Sequence, residues 1–489
     1  MGRNIASKET IENLISNSKK VISDSERMLY NAEFIKSKLC NNGLLTNYLQ
    51  LLFDLLSGSI LCIYEVCCDF KSLISTNNVY TKRYHIQMIN LSQYEWCVFL
   101  RGKDKNGLLF NIIKLLNEQH YSSLELEQIL KDVGLLGKKC NVELRTMTAH
   151  YDEPSIMYKK MTTINDEDFY AQRVGEQLLI HDMILNYVSP VLQTISKTLC
   201  IGETIDIKTD RFESFNYKNI INIKIAEAFN HKGKLDTIIA EQISDAWDNI
   251  ESQKKRVDIC EKAIVFLKSK QLDYTRLEEM KSVLEMHWTV SFMRYDLICS
   301  MGSYLNANSN LERSINFMRV YRIATGALTH LYGYNEEYRE KSIWSKIKLI
   351  PEFRVIPLSI EIENNLKILT LHFDSYKRNL FIHYRENVKL NITERWQYAN
   401  EMNHPKELMQ ILQLVTLCKN IDQYLISLIS LMDSTEKQKN NKILDSLSRI
   451  KELAYKNNIA DVVEMSDKLL SIVSISDKNL QYEVIFQSI

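Results

Sequence analysis

Apolar residues recur along most of this chain at spacings of three and four, the signature of helices with one buried face. The pattern predicts a first helix from about Thr10 to Lys38, ended by the turn-forming run Asn41-Asn42-Gly43. A second helix runs to about Cys68, and a third lies between about Tyr80 and Leu100. Ser122-Ser123 opens another, which Gly134 or Gly137 should close. Asn165-Asp166 reads as an N-cap for a helix to about Leu199, with Pro190 as an expected kink. The polar stretch from Gly202 to Tyr217 reads as a connection, and helices resume from about Asn219. Breaks are expected from Pro351 to Pro357 and at His404-Pro405, and no segment reads as a strand.

Composition sharpens this reading. Only 13 Gly and 5 Pro punctuate 489 residues, too few for a many-stranded fold, so the expected class is all-α. The length exceeds one ordinary core. The apolar run Leu44 to Cys68 is interrupted by Asn47, Gln50, Asp54 and Glu65, which favours a buried helix over a membrane span. The start of the chain has no secretory h-region, and the ten cysteines show no metal-site spacing. Together these point to reduced thiols, a cytoplasmic protein, no metal and no cofactor. Sixty-one basic residues balance sixty-one acidic ones, so any nucleic acid would be held over a short footprint.

Two blocks repeat in order. Tyr64-Glu65-Val66-Cys67-Cys68 matches Tyr295-Asp296-Leu297-Ile298-Cys299 at an offset of 231. Arg145-Thr146-Met147-Thr148-Ala149-His150-Tyr151 matches Arg378-Asn379-Leu380-Phe381-Ile382-His383-Tyr384 at an offset of 233. These matches predict an ancient duplication, with residues 1–205 and 271–435 as two divergent helical domains. Residues 206–270 would form a helical connection and 436–489 a C-terminal helical extension.

Each Arg-x4-His block carries two groups that cut RNA without a metal. The ribose 2′-hydroxyl supplies the nucleophile. A histidine can accept its proton or protonate the leaving 5′-oxygen, and an arginine holds the phosphate and its growing charge. Five helical steps separate the two heads by about 140°, so one regular helix does not aim both at one phosphate. An irregular helix start, a wrapping arginine stem, or a second block across a pseudo-twofold axis would solve this.

Here the chain resembles the HEPN superfamily, helical bundles with the motif Arg, four to six residues, then His. Arg378 to His383, with Asn379 after the arginine, resembles the common Arg-Asn-x3-His form. Arg145 to His150 departs from it at Thr146. Some toxin members carry Arg-x4-His-x-Tyr, whereas Tyr151 and Tyr384 stand one position earlier. The resemblance spans about residues 40–200 and 270–435. It implies a ribonuclease leaving 2′,3′-cyclic phosphate ends, with Arg145, His150, Arg378 and His383 lining one cleft and Asn379, Tyr151 and Tyr384 beside them. It further implies a toxin or antiviral effector that cuts tRNA or mRNA, triggered by a regulatory partner protein, a second copy of the chain or a small ligand. The alternative is an inactive helical adaptor of such a defence system.

Glu65 and Asp296 fall among apolar residues, where an unpaired carboxylate is costly. Each either orients a motif Arg or His or pairs with another base. Gly134 to Lys139 lacks P-loop spacing. His85, His120, His181, His231, His287, His330, His372 and His404 read as structural.

Overall fold

The computed structural model describes residues 8–76, 78–102, 106–140, 154–163, 167–198, 232–271, 273–333, 336–373, 398–399, 401–456 and 460–479. These are 90% helical and contain no strand, so the protein is all-α as its periodicity requires.

The first series of helices is α1 (Lys8–Asn41), α2 (Asn47–Ser75), α3 (Val79–Arg101), α4 (Leu108–Glu118), α5 (Leu124–Lys139), α6 (Pro154–Thr163) and α7 (Glu167–Thr198). The second is α8 (Lys232–Ser269), α9 (Thr275–Leu305), α10 (Asn310–Leu331), α11 (Glu336–Glu340) and α12 (Ile343–Ile347). A 3₁₀ turn (Pro351–Val355), α13 (Leu358–His372), α14 (His404–Lys456) and α15 (Ala460–Asn479) complete it.

Around the third helix of each series, the capping residues share the offset of 231 seen in the first sequence block. The caps Asn78 and Ser309 lie 231 residues apart, as do the first residues of α3 and α10. Asn78 Oδ1 accepts from the Tyr80 and Thr81 amides, and Ser309 Oγ accepts from Glu312 N. Gly102 and Gly333, again 231 apart, end these helices with φ of 75° and 80°. A Cβ at either glycine would collide with backbone, at Gly107 N and Arg339 N respectively. Gly102→Ala and Gly333→Ala should each lower unfolding free energy by roughly 1–3 kcal/mol. Urea midpoints equal to wild type would refute that.

The chain forms two compact units, each discontinuous in sequence. The first comprises residues 1–244, 295–327 and 373–413. Its centre is α2, against which α1, α3, α4 and α7 pack. This helix is long and apolar enough to cross a membrane, yet 83% of its most apolar window is buried inside the protein. Burial of each Leu, Ile or Phe on it is worth about 1.5–3 kcal/mol.

The second unit comprises residues 245–294, 328–372 and 414–489. Trp247 and Trp288 pack on Phe292, and Trp344, Phe353 and Tyr424 form a second aromatic cluster. Tyr424 Oη donates to the Phe353 carbonyl at 3.0 Å.

These compact units interleave along the chain, whereas the sequence repeat divides it consecutively. Gly134 and Gly137 do not close α5, which continues to Lys139. They admit close neighbours instead: a Cβ on Gly137 would lie 3.4 Å from Cys97 Cβ, and one on Gly134 3.4 Å from Arg101 Nη1. Helix α2 passes Cys68 to Ser75, and α7 runs through Pro190 without ending.

Candidate functional site

Arg145, His150, Tyr151, Arg378, Asn379, His383 and Tyr384 lie outside the described residues. The helices that lead into them are described. α5 ends at Lys139 and α13 at His372, and in both cases the motif arginine is the sixth residue beyond. The two helices have 16 and 15 residues.

Glu65 is described, and the base it faces is Arg319 of α10. Positions 65 and 69 lie one turn apart on α2 and so share a face. Arg319 Nη2 lies 2.8 Å from Asp69 Oδ2 and 3.5 Å from Glu65 Oε2. Glu65 also accepts from Ser92 Oγ at 2.8 Å, and Asp69 Oδ1 lies 3.0 Å from His85 Nδ1. Burial alone would favour a neutral Arg319, but Asp69 and then Glu65 outweigh it and hold the guanidinium charged. Buried ions of this kind cost several kcal/mol each to desolvate, so each depends on the others.

This cluster borders a cavity of about 430 Å³ within the first unit. Lys71 and Glu312 pair across its wall at 3.2 Å. Glu312 Oε2 also accepts from Asn308 N at 2.9 Å, completing a cap for α10 with Ser309. Much of the lining falls into mates 231 positions apart: Cys68 with Cys299, Ser72 with Ser303, and Ser75 with Asn306. At the same spacing other lining residues differ: Lys71 and Gly302, Thr81 and Glu312, His85 and Asn316. The lining thus combines hydroxyls, amides and charges already paired, with an imidazole oriented by a carboxylate. Such a wall suits a small polar ligand, and among the described residues it holds no Phe, Tyr or Trp.

Asp296 is buried on α9, one turn before Cys299, where its charge adds to burial in pushing that thiol upward. The flanking tyrosines make reciprocal contacts. Tyr64 Oη meets Ser309 Oγ, the α10 cap, at 2.8 Å, and Tyr295 Oη donates to the Tyr80 carbonyl in the first turn of α3 at 2.5 Å. Tyr64 of α2 thus holds the start of α10, and Tyr295 of α9 holds the start of α3.

In the sequence His85 reads as structural, and Asp69 and Arg319 are not among the candidate residues. An acidic pair at i, i+4 in an apolar helix was the available signal; its partner lies 250 positions away, beyond any local pattern. No protein-family model, curated protein or solved structure matches the chain.

Proposed function

We propose that this chain is a metal-independent RNA endonuclease of HEPN-like design, with one composite cleft built from two divergent repeats. The observation that carries this reading is the equal placement of both Arg-x4-His motifs, six residues beyond helices of near-equal length. The shared 231-residue offset of caps, terminal glycines and cavity mates supports duplication of the whole helical series around them. A duplicated chain can set two such motifs across a local twofold, which answers the 140° problem of a single motif.

In this mechanism Arg145 and Arg378 hold the scissile phosphate and offset its growing charge. His150 and His383 share the acid and base roles: one takes the 2′-hydroxyl proton as that oxygen attacks phosphorus, the other protonates the departing 5′-oxygen. The products are a 2′,3′-cyclic phosphate and a 5′-hydroxyl. Total RNA incubated with the purified chain in excess chelator should be cut to products with these ends. Loss of cutting in chelator, restored by magnesium, would overturn the mechanism. Resemblance extends the proposal to a toxin or antiviral effector acting on tRNA or mRNA in the cytoplasm.

A second reading is an inactive helical adaptor that retains the architecture. Thr146 in place of asparagine and the zero net charge favour it. Stable binding of a partner protein without RNA cutting would select it.

A further inference from the structure

Arg173 of α7 is 1% exposed, and among the described residues no carboxylate lies within ion-pair distance of it. Its neighbours are Asn90 Oδ1 at 3.1 Å, the rings of Phe169 and Tyr170, and Cys140 Sγ at 3.1 Å. A buried guanidinium is stabilised by an anion, and among the described residues Cys140 is the group in hydrogen-bond contact with Arg173 that can become one. Cys97 of α3 completes the arrangement. It packs against Gly137, one turn before Cys140 on α5. The neighbouring Cys97 thiol, and then Arg173, draw the Cys140 thiol below its usual range against the opposing effect of burial. The thiols of Cys67, Cys260 and Cys418 are instead pushed up by burial.

We propose that Cys140 and Cys97 form a peroxide-responsive dithiol, with Cys140 as the attacking sulfur, Cys97 as the resolving one, and Arg173 as the positioning cation. The Cys140 thiolate attacks one peroxide oxygen, the O–O bond breaks, and Cys140 sulfenic acid and hydroxide form. Hydroxide takes the Cys97 proton, giving water. Cys97 sulfur then displaces hydroxide from the sulfenic acid, and a proton from solvent converts it to a second water. Two electrons pass from the two thiols to hydrogen peroxide, a neutral molecule of nearly water size suited to a buried target.

The location gives the bond a consequence. Cys140 is the C-cap of α5, and Arg145 follows five residues later. A Cys97–Cys140 disulfide would pin the end of α5 to α3 where the chain enters the first motif. That regulatory role rests on the ribonuclease reading above; the dithiol does not.

The test is peptide mapping of the full chain after graded hydrogen peroxide, without reductant. A Cys97–Cys140 linked peptide should appear at doses that leave Cys67, Cys260 and Cys418 reduced. C97S should accumulate sulfenic acid at Cys140, and C140S should leave Cys97 reduced. R173Q should slow Cys140 oxidation about tenfold, and R173K should restore it. If R173Q loses its helical signal, the C97S result alone decides. Oxidation of Cys140 no faster than Cys260, or its linkage to another cysteine, would overturn the proposal. A chain that forms the bond yet never cuts RNA sinks only the ribonuclease reading, while one that cuts RNA without forming the bond sinks only the dithiol.

Discussion

His383→Ala should lower RNA cutting by about 10²–10⁴-fold, the usual range for loss of a positioned acid or base. Arg378→Ala should cost about 10²–10³-fold through lost stabilisation of the phosphate charge. His150→Ala should approach the first value, because proton removal and proton donation are separate tasks in one displacement. The described helical series is set by its periodic apolar faces and by caps such as Asn78 and Ser309. Helical signal and melting temperature should therefore stay near wild type while cutting disappears. Cleavage by the His150→Ala, His383→Ala double variant at more than a tenth of the wild-type rate would remove both residues from the chemistry.

Acid should unfold the first unit through two histidines that the fold keeps neutral. Burial pulls His181 down to about 4. Burial likewise takes His404 to about 4, with the Ala399 carbonyl opposing and Arg313 adding to the fall. The hydrogen bonds at His404 agree. Its Nε2 donates to the Ala399 carbonyl at 2.6 Å, and Nδ1 meets Tyr304 Oη at 3.2 Å while the ring stacks on Phe317. In the unfolded chain both imidazoles titrate near 6.5. Between about 6.5 and about 4 the unfolded state therefore binds protons that the folded state refuses. The stability held by neutral imidazoles is full above pH 6.5, declines as pH falls, and is gone near pH 4. Each gap is worth about 3 kcal/mol, a large part of the typical 5–15 kcal/mol for a folded protein. Urea midpoints at pH 7.5, 5.5 and 4.5 should fall steeply for wild type and less steeply for His181→Leu and for His404→Gln. Parallel slopes in all three proteins would show that neither histidine controls the loss.

The all-α class was legible because helix-forming periodicity is local and survives without alignment. Tyr64 and Tyr295 gave an offset of 231, and Asn78 with Ser309 and Gly102 with Gly333 stand at the same spacing, with cap roles that follow from their chemistry. Gly134 and Gly137 misled because glycine serves close packing as well as helix ends, and only the positions of Arg101 and Cys97 distinguish the two. The Asp69, His85 and Arg319 cluster could not be read from the sequence, since a carboxylate's partner is chosen by tertiary packing across some 250 positions.

The pairing of α2 with α10 also governs the order of events at the ribosome. Glu65 and Asp69 are made early, but Arg319, which neutralises them, emerges about 250 residues later. At about 5–20 residues per second, the first bundle waits roughly 10–50 s with only His85 and Ser92, and no guanidinium, beside the two carboxylates at its centre. Until then α2 has its apolar faces ready but no affordable way to bury its acidic one. The N-terminal bundle should thus stay loosely packed on the growing chain and close only when α10 arrives, leaving nascent α2 a natural client for a chaperone.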